Sequence, residues 1–177
     1  DDCIAYYCAN TNNEHKLILT SDKDLSQLVD KKTTVKFLND GTIIEDNEKI
    51  IISKLRVPTS NVTLIKILLG DKSDNIKGIR FLGEKTLKTY FPEIEEKIIT
   101  LEEVLDKAKI LVNEQNVKNK GITNLVKGFC IDGRLGDEFF KTNKELVDLE
   151  KVFLNDNAKK DIISLINENP LVRLFIP

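Results

Sequence analysis

Gly70-Asp71-Lys72-Ser73-Asp74-Asn75-Ile76-Lys77-Gly78-Ile79-Arg80-Phe81-Leu82-Gly83-Glu84-Lys85-Thr86 is the stretch that decides how this chain is read. It follows an apolar segment, Asn61 to Leu69, patterned as a helix that Ser60 can cap and Gly70 can end. Asp71 and Asp74 flank that helix end, and residues three apart on a helical turn share a face. Glycines at 70, 78 and 83 then mark a loop-rich passage. Glycine lets a backbone approach a ligand closely, and a helix start such as the one after Gly83 favours anions. Between 66 and 90 stand Lys66, Lys72, Lys77, Arg80, Lys85 and Lys88, against Asp71, Asp74 and Glu84. If Asp71 and Asp74 hold a cation, what is left is basic enough to bind phosphates.

Two further acid pairs lie upstream. Asp1 and Asp2 open a short helix ending near Ala9, and Asp22 and Asp24 follow directly on Lys16 to Thr20. That compact apolar run predicts a strand buried on both faces. In an open parallel sheet, ligands bind beyond the carboxyl ends of the strands, where Asp22 and Asp24 lie by position. Residues two apart in an extended turn point the same way. Two like charges at 4 Å repel by about 4 kcal/mol at an effective dielectric near 20. A converging set of such acids is therefore worth keeping only with bound cations. Hard oxygen ligands suit Mg²⁺ or Mn²⁺. Two ions roughly 3.5–4 Å apart suit phosphodiester hydrolysis. Against this, Asp commonly caps helices and fills turns, and any one pair taken alone is most simply read that way.

The remaining pattern mixes strands and helices early and is helical late. Asn10 to Glu14 is a polar loop, and Asp24 to Val29 makes a helical turn or two. Thr33 to Leu38 and Gly41 to Ile44 form a hairpin about Asn39-Asp40-Gly41. Asn47 to Arg56 reads as a helix stopped before Pro58, and Glu84 to Phe91 as one closed by Pro92. Further helices are expected at about 101–115, 122–129, 143–154 and 157–168.

The 177 residues are 41% apolar and 32% charged, with a formal net charge of -2, so any nucleic-acid footprint must be local. No apolar run approaches the roughly 18 residues of a membrane span, and no leader opens the chain, which predicts a soluble intracellular protein. Cys3, Cys8 and Cys130 are an odd count and read as reduced thiols. The chain has no Met and begins Asp1-Asp2, so it is expected to be a piece of something longer. Its Ile, Lys and Asn bias fits an AT-rich genome. Asp71-x-Ser73-x-Asn75 mimics the start of a calcium loop, but Ile76 and Leu82 stand where that loop needs Gly and Glu. Cys3, Cys8 and His15 lack the paired spacing of a zinc site. His15 is read as a loop residue, Tyr6 and Tyr7 as helix packing rather than base stacking, and the Lys/Glu-rich late helices as solvated faces.

Residues 71–86 resemble the helix-three-turn-helix signature of the 5′-nuclease superfamily: flap endonucleases, the 5′-exonuclease domain of bacterial DNA polymerase I, and bacteriophage 5′-exonucleases and ribonuclease H. The usual run is Gly-Asp, two residues, then Asp-Asn-Ile-Pro-Gly-Val-x-Gly-Ile-Gly-x-Lys-Thr. Asp1-Asp2-x-Ile4-Ala5 resembles the tail of the family's Glu-Ala-Asp-Asp-x-Ile-Ala motif. Thr20-Ser21-Asp22-Lys23-Asp24-Leu25-x-Gln27-Leu28-Val29 resembles its Ser/Thr-x-Asp-Lys-Asp-Leu-x-Gln-Leu-Val motif. The resemblance covers roughly residues 1–92. Phe81 and Lys77 depart from it, standing where the family has Gly and often Pro.

The resemblance implies an α/β fold: part of a PIN-like parallel sheet, its N-terminal part missing, with a helix-three-turn-helix subdomain and a helical C-terminal region. Residues 1–60 would belong to the metal-binding nuclease domain and 61–177 to the helical subdomain. It further implies a Mg²⁺-dependent 5′–3′ exonuclease or flap endonuclease acting on DNA in replication or repair, with RNA primers an open second substrate. Asp1, Asp2, Asp22, Asp24, Asp71 and Asp74 would hold two Mg²⁺ ions, or Mn²⁺, with all but Asp2 also catalytic. Lys72, Ser73, Gly78, Arg80, Gly83, Lys85 and Thr86 would contact duplex DNA with a 5′ flap or end, or an RNA–DNA hybrid. A K⁺ ion would sit in the turn. The expected protein is a monomer of the cytoplasm, nucleoid or phage-infected cell that works beside replication proteins. The present residues alone are expected to cut poorly, and the rival reading is a non-catalytic duplex-binding module.

Overall fold

The computed structural model describes residues 1–11 and 15–168, so most of the loop expected over Asn10 to Glu14 lies outside the described residues. In chain order the helices are α1 (Asp2–Asn10), α2 (Val62–Leu69), α3 (Glu84–Tyr90), α4 (Leu101–Asn113), α5 (Lys120–Lys127), α6 (Gly136–Val147) and α7 (Asp156–Glu168). The strands are β1 (Lys16–Thr20), β2 (Thr33–Phe37), β3 (Ile43–Ile44), β4 (Lys49–Ile52), β5 (Leu55–Pro58), β6 (Gly70–Asp71) and β7 (Ile76–Lys77). These elements fall into two compact units, one built from Asp1–Glu48 with Leu149–Pro177 and the other from Lys49–Asp148. Among the described residues no helix is long and apolar enough to cross a membrane.

The first unit carries the α/β character predicted from sequence. β1 runs parallel to β2, with Ile18 opposite Val35 and Thr20 opposite Phe37. β3 returns antiparallel, with Ile44 opposite Val35. Ile18, Val35, Phe37 and Ile44 are buried, as a half-covered pleated surface requires of β-branched and aromatic residues. The expectation that β1 is buried on both faces fails at Leu17, which is 58% exposed. Among the described residues β1 is an edge strand paired with β2, and its exposed Leu17 leaves one face uncovered. The parallel connection from β1 to β2 carries a 3₁₀ turn, Asp24–Leu28, that buries Leu25 and Ser26. α7 packs on α1, and the Phe153 backbone N–H donates to Asp2 Oδ2 at 3.0 Å.

In the second unit, Asn47 to Arg56 is not the helix expected. β4 and β5 form an antiparallel hairpin with Ile50 opposite Val57 and Ile52 opposite Leu55. Its turn residues Ser53 and Lys54 both have positive φ, 47° and 64°, the handedness that two-residue hairpin turns demand. Ile50-Ile51-Ile52 alternates buried, exposed, buried, so β-branching and period two prevail over helical spacing.

α2 starts at Asn61 rather than through a Ser60 cap. The buried Asn61 side chain donates to the Ile94 and Lys97 carbonyls, at 2.9 and 2.8 Å, and accepts from Ile99 N–H at 3.1 Å. α4 carries a reciprocal capping box between Thr100 and Glu103. α6 begins at Gly136, earlier than the helix expected over 143–154. The face it buries is Phe139, Phe140, Asn143 and Val147, at helical spacing.

Candidate metal and nucleic-acid site

Asp71 and Asp74 stand on a hairpin, not on the last turn of a helix. β6 and β7 pair antiparallel, Gly70 opposite Lys77 and Asp71 opposite Ile76. Gly70 (φ 75°) has room for no side chain, since a Cβ there would lie 2.4 Å from the Ile76 carbonyl oxygen. At Gly78 a Cβ would lie 2.2 Å from the Leu69 carbonyl carbon. These two glycines let the hairpin fold directly against the end of α2. Asp74 lies in its turn, and a carboxylate oxygen of Asp74 comes within 4.8 Å of one of Asp71.

The two carboxylates have different surroundings. Asp71 accepts from the Ser73 backbone N–H at 2.8 Å, from the Ser73 hydroxyl, and from Lys66 Nζ. Burial works to raise the Asp71 pKa, but the bonds from Lys66 and Ser73 outweigh it and hold the carboxyl below the usual range. Asp74 is exposed. Together they offer hard oxygen ligands with one acid already ionised and anchored, the donor chemistry a divalent cation needs.

Lys66 corrects a sequence expectation. It adds to the basic count between residues 66 and 90, but it is 6% exposed and paired with Asp71, so its charge is not open to phosphates. Its stem lies in the buried face of α2, and its ammonium reaches the hairpin.

A second support was invisible in the sequence. Asn143 of α6 is fully buried, and its Nδ2 donates to the Ile67 carbonyl at 3.1 Å and the Lys77 carbonyl at 2.8 Å. It thereby ties α2 to β7 and fixes the hairpin. Arg134 donates to Asn143 Oδ1 at 3.1 Å and pairs with Asp132 at 2.8 Å. The Arg134 guanidinium lowers the Asp132 carboxyl from 3.8 to about 2. Only long-range packing distinguishes such an Asn from one on a helix surface.

The acids of the first unit are placed by local turns. Asp22 N–H donates to Thr20 Oγ1 and Asp24 N–H to Asp22 Oδ1, both at 2.9 Å. Asp24 is half-buried at the start of the 3₁₀ turn, while Asp22 is exposed. Asp1 is the N-cap of α1, and Asp2 receives the Phe153 amide.

The residues expected on DNA differ in burial. Lys72, Ser73, Arg80 and Lys85 are exposed, and Gly83 and Thr86 are half-buried. Gly83 is extended and open, with nothing near the position a Cβ would take. Gly78 is buried, its carbonyl accepting from Ile131 N–H at 3.1 Å. Its smallness serves packing, which shapes the turn from behind. Phe81 takes the left-handed backbone (φ 66°) that a glycine would hold without strain.

Comparison with known proteins adds to this geometry. The chain is 34% identical over 119 residues to DNA polymerase I of Caldicellulosiruptor bescii, covering 63% of this chain and 13% of that one. It is 31% identical over 132 residues to a 5′-3′ exonuclease of Bacillus subtilis, covering 71% of this chain and 42% of the relative. It therefore spans less than half of the length of these relatives. Among solved structures, bacteriophage T5 5′-exonuclease with bound zinc superposes with a TM-score of 0.65 at 19% identity, over 94% of this chain and 58% of its own. The T5 flap endonuclease in complex with DNA and metal ions gives 0.60 at 18%, over 94% and 59%. The likeness extends over the sheet and the late helices alike, matching the α/β fold expected from the motifs. No protein-family model matches the chain.

Proposed function

Because the chain belongs to the 5′-nuclease superfamily, we propose that it is the metal- and DNA-binding portion of a Mg²⁺-dependent 5′–3′ exonuclease or flap endonuclease. Its substrate is DNA with a 5′ flap or end, extending to RNA primers, during replication or repair. The observation that carries this reading is the Asp71–Asp74 pair, held on a braced hairpin beside an open, glycine-containing basic turn.

In this reading Asp71 and Asp74 act with Asp22, Asp24 and Asp1, and with Asp2 as a peripheral ligand, to hold two Mg²⁺ or Mn²⁺ ions. Divalent ions, when bound, offset charge on the phosphoryl oxygens and favour ionisation of the attacking water. The chain's own residues do the positioning. Lys66 and Ser73 keep Asp71 ionised and fixed on the hairpin. Lys72, Ser73, Arg80, Gly83, Lys85 and Thr86 receive the duplex phosphates, with Gly78 setting the turn and K⁺ as a further cation there. The functional boundary is placed near residue 60, between a nuclease domain and a helical DNA-binding subdomain. The protein acts as a monomer in the cytoplasm or nucleoid, alongside replication proteins.

A flap-cleavage assay with Mg²⁺ on the full-length protein tests the proposal. Losing a ligand that costs about 2.7 kcal/mol of transition-state stabilisation slows the reaction on the order of a hundredfold, the loss expected for Asp74→Asn. Cleavage by Asp22→Asn and Asp74→Asn at the parent rate would overturn it.

One observation favours a second reading. Lys66 already neutralises Asp71 without a metal, as a duplex-binding module with no catalysis would need. That module predicts binding that weakens with salt and ignores Mg²⁺.

A further inference from the structure

Next to the basic turn, the second unit contains an open groove of about 600 Å³ between the Arg80–Phe81 segment and the connection from α4 to α5. Its walls include Arg80, Phe81, Lys118, Lys120 and Phe129, and among the described residues no acid lines it. Such a volume lies within the roughly 300–1,000 Å³ typical of small-molecule and cofactor sites.

Phe81 is the unusual feature of this groove. The residue is 61% exposed and its backbone is left-handed, two costs in one residue. The segment is nonetheless rigidly held. Arg80 N–H donates to the Phe129 carbonyl at 2.9 Å, and Asn124 Nδ2 donates to the Arg80 carbonyl at 2.7 Å. α5 packs so closely that a Cβ on Gly121 would lie 2.6 Å from the Phe81 carbonyl oxygen. The backbone that carries the exposed Phe81 is thus held on both sides. Cations surround the ring: the Arg80 guanidinium lies 5.2 Å from the Phe81 centroid and 5.8 Å from that of Phe129, and Lys120 Nζ lies 5.8 Å from the Phe81 ring.

A largely exposed aromatic residue with cations over its ring is the pairing that binds single-stranded nucleic acid, through stacking and phosphate attraction. We propose that this groove is a subsite for one unpaired nucleotide of the DNA, with its base on the Phe81 ring and its phosphate at Lys118 and Lys120. The proposal rests on the DNA-binding reading above and adds a place where a frayed or protruding nucleotide is captured beside the duplex.

The test compares the affinity of this chain, in EDTA, for a short blunt duplex and for the same duplex with a short single-stranded extension, by fluorescence anisotropy. Stacking one base should favour the extended duplex by about fivefold or more. Phe81→Leu, and separately Lys118→Ser with Lys120→Ser, should bring the ratio close to one. Phe81→Gly, which suits the left-handed backbone, should do the same while melting no lower than the parent. Equal affinity of the parent for both duplexes, or a preference that survives Phe81→Leu or Phe81→Gly, overturns the subsite. Binding of neither duplex overturns the subsite and the DNA-binding reading together; blunt-duplex binding without a preference overturns the subsite alone.

Discussion

Asp132 shows how a single charge works in this chain. Hydrogen bonds from Arg134 lower its pKa from 3.8 to about 2, so it binds a proton less readily folded than unfolded. A depressed carboxyl contributes stability that is present above its unfolded pKa and lost as pH falls through its folded one. Asp132→Asn should therefore reduce the urea midpoint at pH 7, and the gap to the parent should close between about pH 4 and pH 2. Because the Asp132 side chain is 36% exposed, solvent screens the pair and the effect at neutral pH should be modest. A gap that stays constant across that range would mean Arg134 does not set the titration. The same scale separates what sequence reveals about site residues from what it does not. The closeness of Asp71 and Asp74 was legible because their spacing puts them near each other on any tight turn. Lys66 entered the local basic count although its charge is taken up by Asp71, because nothing in a row of lysines marks the one whose ammonium turns inward to an acid.

At the scale of elements, the hairpin β6–β7 depends on a helix that follows it by more than fifty residues. Asn143 on α6 satisfies the carbonyls of Ile67 and Lys77 and receives Arg134. Asn143→Leu fills similar space but leaves these groups buried without partners, each costing roughly 1–3 kcal/mol. The expected loss is about 3 kcal/mol in chemical denaturation. Hydrogen exchange should also quicken at Ile76 and Lys77 ahead of α4. A variant as stable as the parent would show that water replaces the amide at no cost. Most elements were readable at this scale where the local signal stood alone. The β2–β3 hairpin carries Asp40-Gly41, and α4 carries its Thr100–Glu103 box. The β4–β5 hairpin was not readable. Its turn residues Ser53 and Lys54 are poor at positive φ, so the turn signal was missing, and Lys and Glu around it imitated a helix. α6 was displaced because Gly136 was not recognised as the residue that opens it.

For the whole molecule, the first unit is assembled from both ends of the chain, Asp1–Glu48 and Leu149–Pro177, whereas the second is continuous in sequence. No motif announces that pairing, because an amphipathic helix does not encode which distant surface it covers. The fold class was still legible, since the strands and acid motifs of the first half and the helices of the second each follow local patterns. The discontinuity has a measurable consequence. Contacts that close a long loop stabilise both ends they join, and losing one end exposes the surface it covered. Removing residues 149–177 takes away α7 from its seat on α1, together with the Phe153 amide bonded to Asp2 and the Leu149 amide facing Gln27. Amide protection in α1 and β1 should fall by about tenfold or more, since local opening then costs at least about 1.4 kcal/mol less. Protection in α2 and α4, which belong to the Lys49–Asp148 unit and pack there on α6 and α5, should hold. Hydrogen exchange read by mass spectrometry distinguishes the outcomes. Loss confined to α1 and β1 supports two separately stabilised units, while equal loss in α2 and α4 means the chain unfolds as one cooperative body.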